Sequence, residues 1–342
     1  MKQIFHRAGA LIFAAAVVLA ACLPLSARAE ETAADTAEEE PVSAAEWMKE
    51  IPDYWRLSEI SIPGTNNTLA KNIFPGLFLK SQGKTFAKQL EAGFRFFDIG
   101  LSVDTRKTED TDDDRLIAFC RTGRCRKGSA PWSASITLSN VLSDAYSFLD
   151  EHPSETIILC VKNEDGKEKK TFSKLFFKAV AENASYWYLD NTIPALGEVR
   201  GKIVLASRFS NAADAAVDGQ GLYFHWTDQD NREAVDLPYT QTVMNAGERL
   251  WVQDRYMYDV GQKWDAFTDT MDNCQADEST FSLNFLSTRG SSDMSRPKYY
   301  ADCLNDRLYD SHLTEGVCYG IIVVDYGTEK LARHIFESNF MN

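Results

Sequence analysis

Seven places in this 342-residue chain put polar or reactive side chains directly after a short apolar run: 64–68, 98–100, Cys120, 162–164, 207–208, 254–256 and Asp325. Together they supply two amides (Asn66, Asn67), carboxylates (Asp98, Asp254, Asp325), cations (Lys162, Arg208), a phenol ring (Tyr256) and a thiol (Cys120). Arginine and carboxylate groups grip vicinal hydroxyls through paired, charge-assisted hydrogen bonds, and an aromatic ring covers an apolar C–H face. That chemistry suits a polyol. Any one of these residues reads equally well as a strand ending where water begins, and Arg208 with Asp254 as a salt bridge beside a packed Tyr256. It is the set that points to a site. Cys120 lies near Arg121 and Arg124, which can lower a thiol pKa. With Cys125 five residues on, a disulfide is the plainer reading. Of the five histidines, His6 falls in the N-terminal apolar region, and His152 sits in a Glu-His-Pro turn. His312 and His334 stand apart from the seven places. His225, in Phe224-His-Trp-Thr, reads as an ordinary surface or partly buried imidazole, with a place beside the site as the alternative.

To bring these residues together, the chain must place the ends of several strands at one edge. Strands are expected at 56–62, 94–103, 115–120, 156–164, 202–209, 250–256, 280–287 and 319–326. Runs such as Ile157-Ile-Leu-Cys-Val161 and Ile321-Ile-Val-Val324 are apolar throughout, as in strands buried on both faces of a parallel sheet. Helical patterns fall at 85–92, 138–150, 169–181, 263–271, 299–309 and 329–340, while 104–115 and 217–248 read as irregular. Eight strands with an incomplete set of helices predict an α/β fold, a distorted (β/α)8 TIM-like barrel, with an open doubly wound sheet as the alternative. In such barrels functional side chains sit at the C-terminal ends of the strands.

Composition is that of a globular protein: 44% hydrophobic, 12% aromatic and 25% charged. Residues 1–29 read as an export signal, with Lys2 and Arg7, an apolar run over 8–25 and Ala27-Arg28-Ala29 as a small-x-small cleavage site. Leu19-Ala-Ala-Cys22 is a competing lipobox. Residues 30–45 are acidic and poor in aromatics, which predicts a disordered spacer before a barrel over 46–342. The protein is expected outside the cytoplasm, secreted or lipid-anchored. Its net charge of −14, or −17 without Lys2, Arg7 and Arg28, argues against nucleic acid as a partner. Six cysteines remain beyond Cys22, an even number that permits disulfides in an exported protein. Their spacing matches no zinc pattern.

The segment Trp47-Met48 to Ser61-Ile-Pro-Gly-Thr-Asn66-Asn67-Thr68 resembles the opening of bacterial phosphatidylinositol-specific phospholipase C, a tryptophan followed by Ser-Ile-Pro-Gly-Thr-His-Asp. Further blocks follow in the family's order. They are Gln89-Leu-Glu-Ala-Gly-Phe-Arg-Phe-Phe-Asp98, Phe148-Leu-Asp-Glu-His-Pro-Ser-Glu-Thr156 through Lys162-Asn-Glu164, Gly201-Lys-Ile-Val-Leu-Ala-Ser-Arg208, Val252-Gln-Asp254-Arg-Tyr256 and Val324-Asp325-Tyr326. The resemblance implies a distorted barrel. It also implies a metal-free reaction in which an inositol hydroxyl attacks phosphorus between two acid–base histidines, a task suited to a group with a pKa near 6.5.

By the same matching, the catalytic positions are Asn66, Cys120, Asp98 and Asp325, with Asn66 and Cys120 replacing the two histidines; Phe119 and Arg121 are the neighbours of the second position. Asn67 replaces the carboxylate after the first histidine, and Gly100 replaces the phosphate-binding arginine. Asparagine neither takes nor gives a proton near neutral pH. Asn67, Lys162, Arg208, Asp254 and Tyr256 are implied ligand-binding residues, for an inositol phospholipid or inositol phosphate headgroup, with a membrane surface as a further partner. Eukaryotic relatives hold calcium with an asparagine like Asn67 plus acids. Gly100 and Lys162 stand where those acids are needed, so no metal and no other cofactor are expected. Three functions follow: a degenerate headgroup-binding barrel, a phosphodiesterase with rewired acid–base groups, or a surface interaction protein that keeps only the scaffold.

Overall fold

The computed structural model describes residues 42–106, 108, 113–209, 219–292 and 296–340. The expected export signal, the lipobox at Cys22 and most of the expected spacer lie outside the described residues. Residues 42–45 belong to the packed structure and not to the spacer: Ala44 is buried, and Val42 packs on the core.

A single sheet follows the order β6-β7-β5-β2-β1-β12-β11-β10-β9. Its central strands are β1 (Ile62–Thr65), β2 (Phe96–Asp104), β5 (Ile157–Asn163), β7 (Ile203–Ser207), β10 (Arg249–Gln253), β11 (Thr280–Phe285) and β12 (Ile321–Val324). These seven pair with one another in parallel along that order. An eighth parallel position is shared by two short pieces, β6 (Trp187–Tyr188) and β8 (Leu222–Tyr223), which pair with β7 at different heights. Two-residue strands carry no readable period, which is why this position was not expected from sequence. β9 (Thr240–Val243) runs antiparallel along β10. Among the described residues no strand pair joins β9 or β10 to β8. That seam is crossed by side chains instead. Glu248 takes the backbone N–H of Ile193, Asn191 donates to the Met244 carbonyl, and Asn245 donates to that of Asn191.

Two expectations about strands need correction. The 56–62 run is a 3-10 turn over Leu57–Glu59, and strand begins only at Ile62. The 115–120 run is a strand, β3 (Arg115–Cys120), but it leaves the barrel. It folds back antiparallel on β2 and pairs with β4 (Gly123–Arg124). Alternation explains the all-apolar runs. Ile321 and Val323 face the barrel interior with Phe96, Val204 and Leu283, whereas Ile322 and Val324 face the helices. The helices are α1 (Gly76–Leu79), α2 (Phe86–Glu91), α3 (Leu138–Glu151), α4 (Lys169–Ala181), α5 (Leu196–Val199), α6 (Val260–Asn273), α7 (Pro297–Asp310) and α8 (Glu329–Phe336). Side-chain capping fixes the starts of α3, α6 and α8, at Thr137 with Asn140, Asp259 with Gln262 and Thr328 with the Leu331 N–H.

The N-terminal end of the barrel is organised by an ion pair with no exposure on either side, Arg95–Glu155 at 2.7 Å. Arg95 also donates to the carbonyls of Leu90, Phe94, Ala44 and Ala45, and its guanidinium lies 4.7 Å from the Phe148 ring centre. A buried pair is expensive to form and more expensive to halve. Glu155→Ala should therefore lower the unfolding free energy by about 3–5 kcal/mol in chemical denaturation. A loss below about 1 kcal/mol would show that the four carbonyls alone satisfy Arg95.

Candidate functional site

A cavity of about 510 Å³ opens at the C-terminal end of the barrel. Eight of the nine residues singled out from the sequence line it: Asn66, Asn67, Asp98, Lys162, Arg208, Asp254, Tyr256 and Asp325. The ninth, Cys120, does not. It is 2% exposed and packed in the core between sheet and helices. Burial pushes its thiol well up, with the charges of Cys125, Glu164 and Asp98 adding to the effect and Arg121 opposing it. The lowering that the neighbouring arginines could bring is outweighed by desolvation. Cys120, Cys125, Cys160, Cys274, Cys303 and Cys318 are all free thiols, so the disulfide expected at Cys120 or Cys125 is absent from this structure.

Each strand end contributes one piece. After β1, Asn66 donates its side-chain amide to Asp325 Oδ1 at 2.9 Å. Asn67 adopts φ +43°, a conformation asparagine tolerates, and its N–H donates to Asp98 Oδ2 at 3.2 Å. From β2, Asp98 faces Arg208 Nη1 at 3.6 Å. From β5, Lys162 Nζ lies 3.3 Å from Glu164 Oε2. Beyond β7, the Arg208 guanidinium stacks 3.6 Å from the ring centre of Trp226, whose Nε1–H donates to Asp254 Oδ2 at 3.1 Å. Beyond β10, Tyr256 donates its hydroxyl to Asp228 Oδ1 at 2.9 Å. Cation, ring and carboxylate of Arg208, Trp226 and Asp254 therefore form one continuous polar wall.

Gly100 is empty for a steric reason. A Cβ there would stand 2.3 Å from the Phe119 carbonyl oxygen and 3.1 Å from Glu164 Oε2, because β3 folds directly across β2. No side chain fits without moving backbone. Beneath the floor, Lys263 is fully buried and donates to Gln253 Oε1 at 2.8 Å. Burial pulls its ammonium down, opposed by Asp254 and Asp325, and burial likewise raises Asp254, opposed by Arg208 and Lys263. Burial pushes Asp325 up to about 8, against the hydrogen bond from Asn66 and the charge of Lys263. Among the described residues the one group of three metal-ligating side chains within mutual reach is Glu91, Glu151 and His152, outside the cavity.

Several lining residues were not singled out from the sequence: Arg121, Trp226, Asp228, Arg289 and, as a site residue, Glu164. Glu164 had a signal, since it lies two residues beyond Lys162 on the same strand face. Trp226 and Asp228 fall in the stretch read as irregular, and Arg289 follows β11 without any apolar run of its own. His225 lines the wall with its ring stacked 4.3 Å from that of Tyr223, which favours the alternative reading of that residue.

Two outcomes follow. Gly100→Ala should cost about 1–3 kcal/mol of stability in chemical denaturation, since the obstructing atom is backbone. A carboxyl raised from 3.8 to about 8 keeps its proton in the folded state after the unfolded chain has lost it. Its contribution is fully present below pH 4 and is lost as pH rises towards 8. Asp325→Asn should flatten this fall, shifting the melting temperature at pH 8 relative to wild type upward by at least about 2–4 °C.

Residues 61–209 match the family described as phosphatidylinositol-specific phospholipase C, X domain. The chain is 26% identical over 320 residues to the 1-phosphatidylinositol phosphodiesterase of Staphylococcus aureus (strain Newman), covering 87% of this chain and 95% of that one. It is 25% identical over 320 residues to the protein of the same name from Listeria monocytogenes, covering 88% and 87%. The solved structure of the phosphatidylinositol-specific phospholipase C from Listeria monocytogenes has the same fold, with a TM-score of 0.67 at 23% identity over 88% of this chain and 100% of that one. The chain thus matches the X domain of phosphatidylinositol-specific phospholipase C over residues 61–209, is similar to these bacterial phosphodiesterases along nearly its whole length, and shares the fold of the Listeria structure.

Proposed function

We propose that the protein captures the inositol phosphate headgroup of phosphatidylinositol-type lipids in this cavity and does not cleave it. One contrast carries the reading. The polyol-gripping wall of Arg208, Trp226 and Asp254 is assembled beside Tyr256. At the end of β1, where the family reaction calls for an imidazole, the amide of Asn66 is spent on Asp325. General acid–base groups contribute roughly 10²–10⁴-fold each, so losing both removes most of the rate. The N-terminal features of residues 1–29 support export, and the lipid is met at a membrane surface. Phe74 and Leu77 support such an approach: they are 67% and 53% exposed, within five residues of Leu79 on the cavity wall.

A second reading, a phosphodiesterase with a rewired proton donor, is favoured by Asp325, whose carboxyl holds a proton at neutral pH. Two assays separate the readings. In calorimetry, myo-inositol should bind, and Arg208→Gln or Asp254→Asn should weaken it about tenfold or more, the worth of one charge-assisted hydrogen bond. With phosphatidylinositol in mixed micelles and chelator, no inositol phosphate should be released above the buffer rate. Release that disappears in Asp325→Asn would overturn the non-cleaving reading in favour of the second.

A further inference from the structure

Four cations line the cavity: Arg121, Lys162, Arg208 and Arg289. Lys162 is paired with Glu164, and Arg208 with Asp98. Among the described residues Arg121 and Arg289 make no ion pair. Glu164 accepts the backbone N–H of Arg121 at 2.9 Å. The Arg121 guanidinium donates to the Phe78 carbonyl at 3.2 Å. The Nε–H of Arg289 is buried without a hydrogen-bond partner, and its Nη2 reaches the Met257 sulfur at 3.1 Å, a weak acceptor. Two guanidinium groups with no ion-pair partner among the described residues thus line one cavity, in a protein whose net charge is −14.

Both are placed by backbone. Arg121 turns the β3–β4 hairpin at φ +56°. Arg289 is tied to the Tyr256 segment: its N–H donates to the Tyr256 carbonyl at 3.0 Å, and Thr288 Oγ1 donates to the same carbonyl at 3.0 Å. Its guanidinium lies 5.4 Å from the Tyr256 ring centre. Burial lowers the pKa of Arg121 and the charge of Arg289 lowers it further, against the charges of Cys120, Glu164 and Tyr256, so the two arginines of this cavity repel one another. A bound anion relieves both costs.

We propose that Arg121 and Arg289 form a phosphate subsite, which takes the phosphoryl group of an inositol phosphate whose ring lies against Arg208, Asp254 and Tyr256. β2 cannot supply the phosphate contact, because Phe119 closes the space at Gly100. The two arginines come instead from the next hairpin and from the loop after β11. The ring placement rests on the headgroup-binding reading above; the phosphate contact does not.

Calorimetry on the full chain tests it with myo-inositol, myo-inositol 1-phosphate and inorganic phosphate as probes. Vesicles of phosphatidylcholine with and without phosphatidylinositol then distinguish the lipid-borne from the free phosphate. The inositol phosphate should bind at least about tenfold more tightly than inositol. Arg121→Gln with Arg289→Gln should erase that margin and leave inositol affinity unchanged, which also reports that the variant is folded; Arg289→Lys should retain part of it. Phosphatidylinositol vesicles retaining wild type but not the double variant place the lipid headgroup there, whereas capture of the free phosphate alone places the soluble compound. If inositol binds and the double variant keeps the full margin, the subsite is wrong and the headgroup reading stands. If inorganic phosphate binds, is lost in the double variant, and inositol does not bind, the subsite stands and the headgroup reading falls. If no probe binds, both fall.

Discussion

The pair Arg95–Glu155 lies where the chain enters β2 and β5, and these two strands carry Asp98 and Lys162 of the site. Arg95 immediately precedes β2, and Glu155 precedes β5 by two residues. Fixing both at one end of the barrel sets the heights at which they end on the other side. Asp98 pairs in register with Cys160, and Gly100 with Lys162. The same arginine draws in the carbonyls of residues 44–45, while Arg200 reaches those of Met48 and Ile51. The N-terminal segment thus becomes a cap over the barrel floor. Its cost in desolvation is met by donors and acceptors with almost no water in reach, an arrangement that tolerates few half-measures.

At the other end the governing constraint is steric. The β3–β4 hairpin folds across β2 and presses the Phe119 carbonyl into the space beside Gly100. Three consequences come from that one crossing. It keeps a side chain off β2, buries Cys120, and turns Arg121 toward the cavity. The cations of the cavity therefore come from neighbouring elements and not from β2. Beneath it, Lys263, Asp254 and Asp325 share a buried environment that disfavours every charge, and the ammonium and the two carboxyls only partly offset that for one another.

The barrel and most of the site were legible because they rest on periodic, local signals. Runs such as 157–161 announce strands buried on both faces, and a polar residue closing such a run marks the functional edge. Asp98, Lys162, Arg208, Asp254 and Asp325 all obey that rule. Where sequence reasoning went astray, the deciding interaction was non-local. Nothing in residues 115–120 says that the strand will turn back on β2 instead of joining the barrel, and the burial of Cys120 follows from that turn. β6 and β8 are too short to register a period. Trp226 and Arg289 lie on irregular segments whose positions are set by partners 28 and 32 residues away.

The seam between β8 and β10 gives the cavity an unusual mechanical position. Arg208 stands just past β7 on one side and Asp254 just past β10 on the other, with Trp226 touching both. Among the described residues the wall there is a latch of side chains, not a ladder of backbone hydrogen bonds. A ligand held by Arg208 and Asp254 together would span this seam and tie the two sides of the barrel to one another.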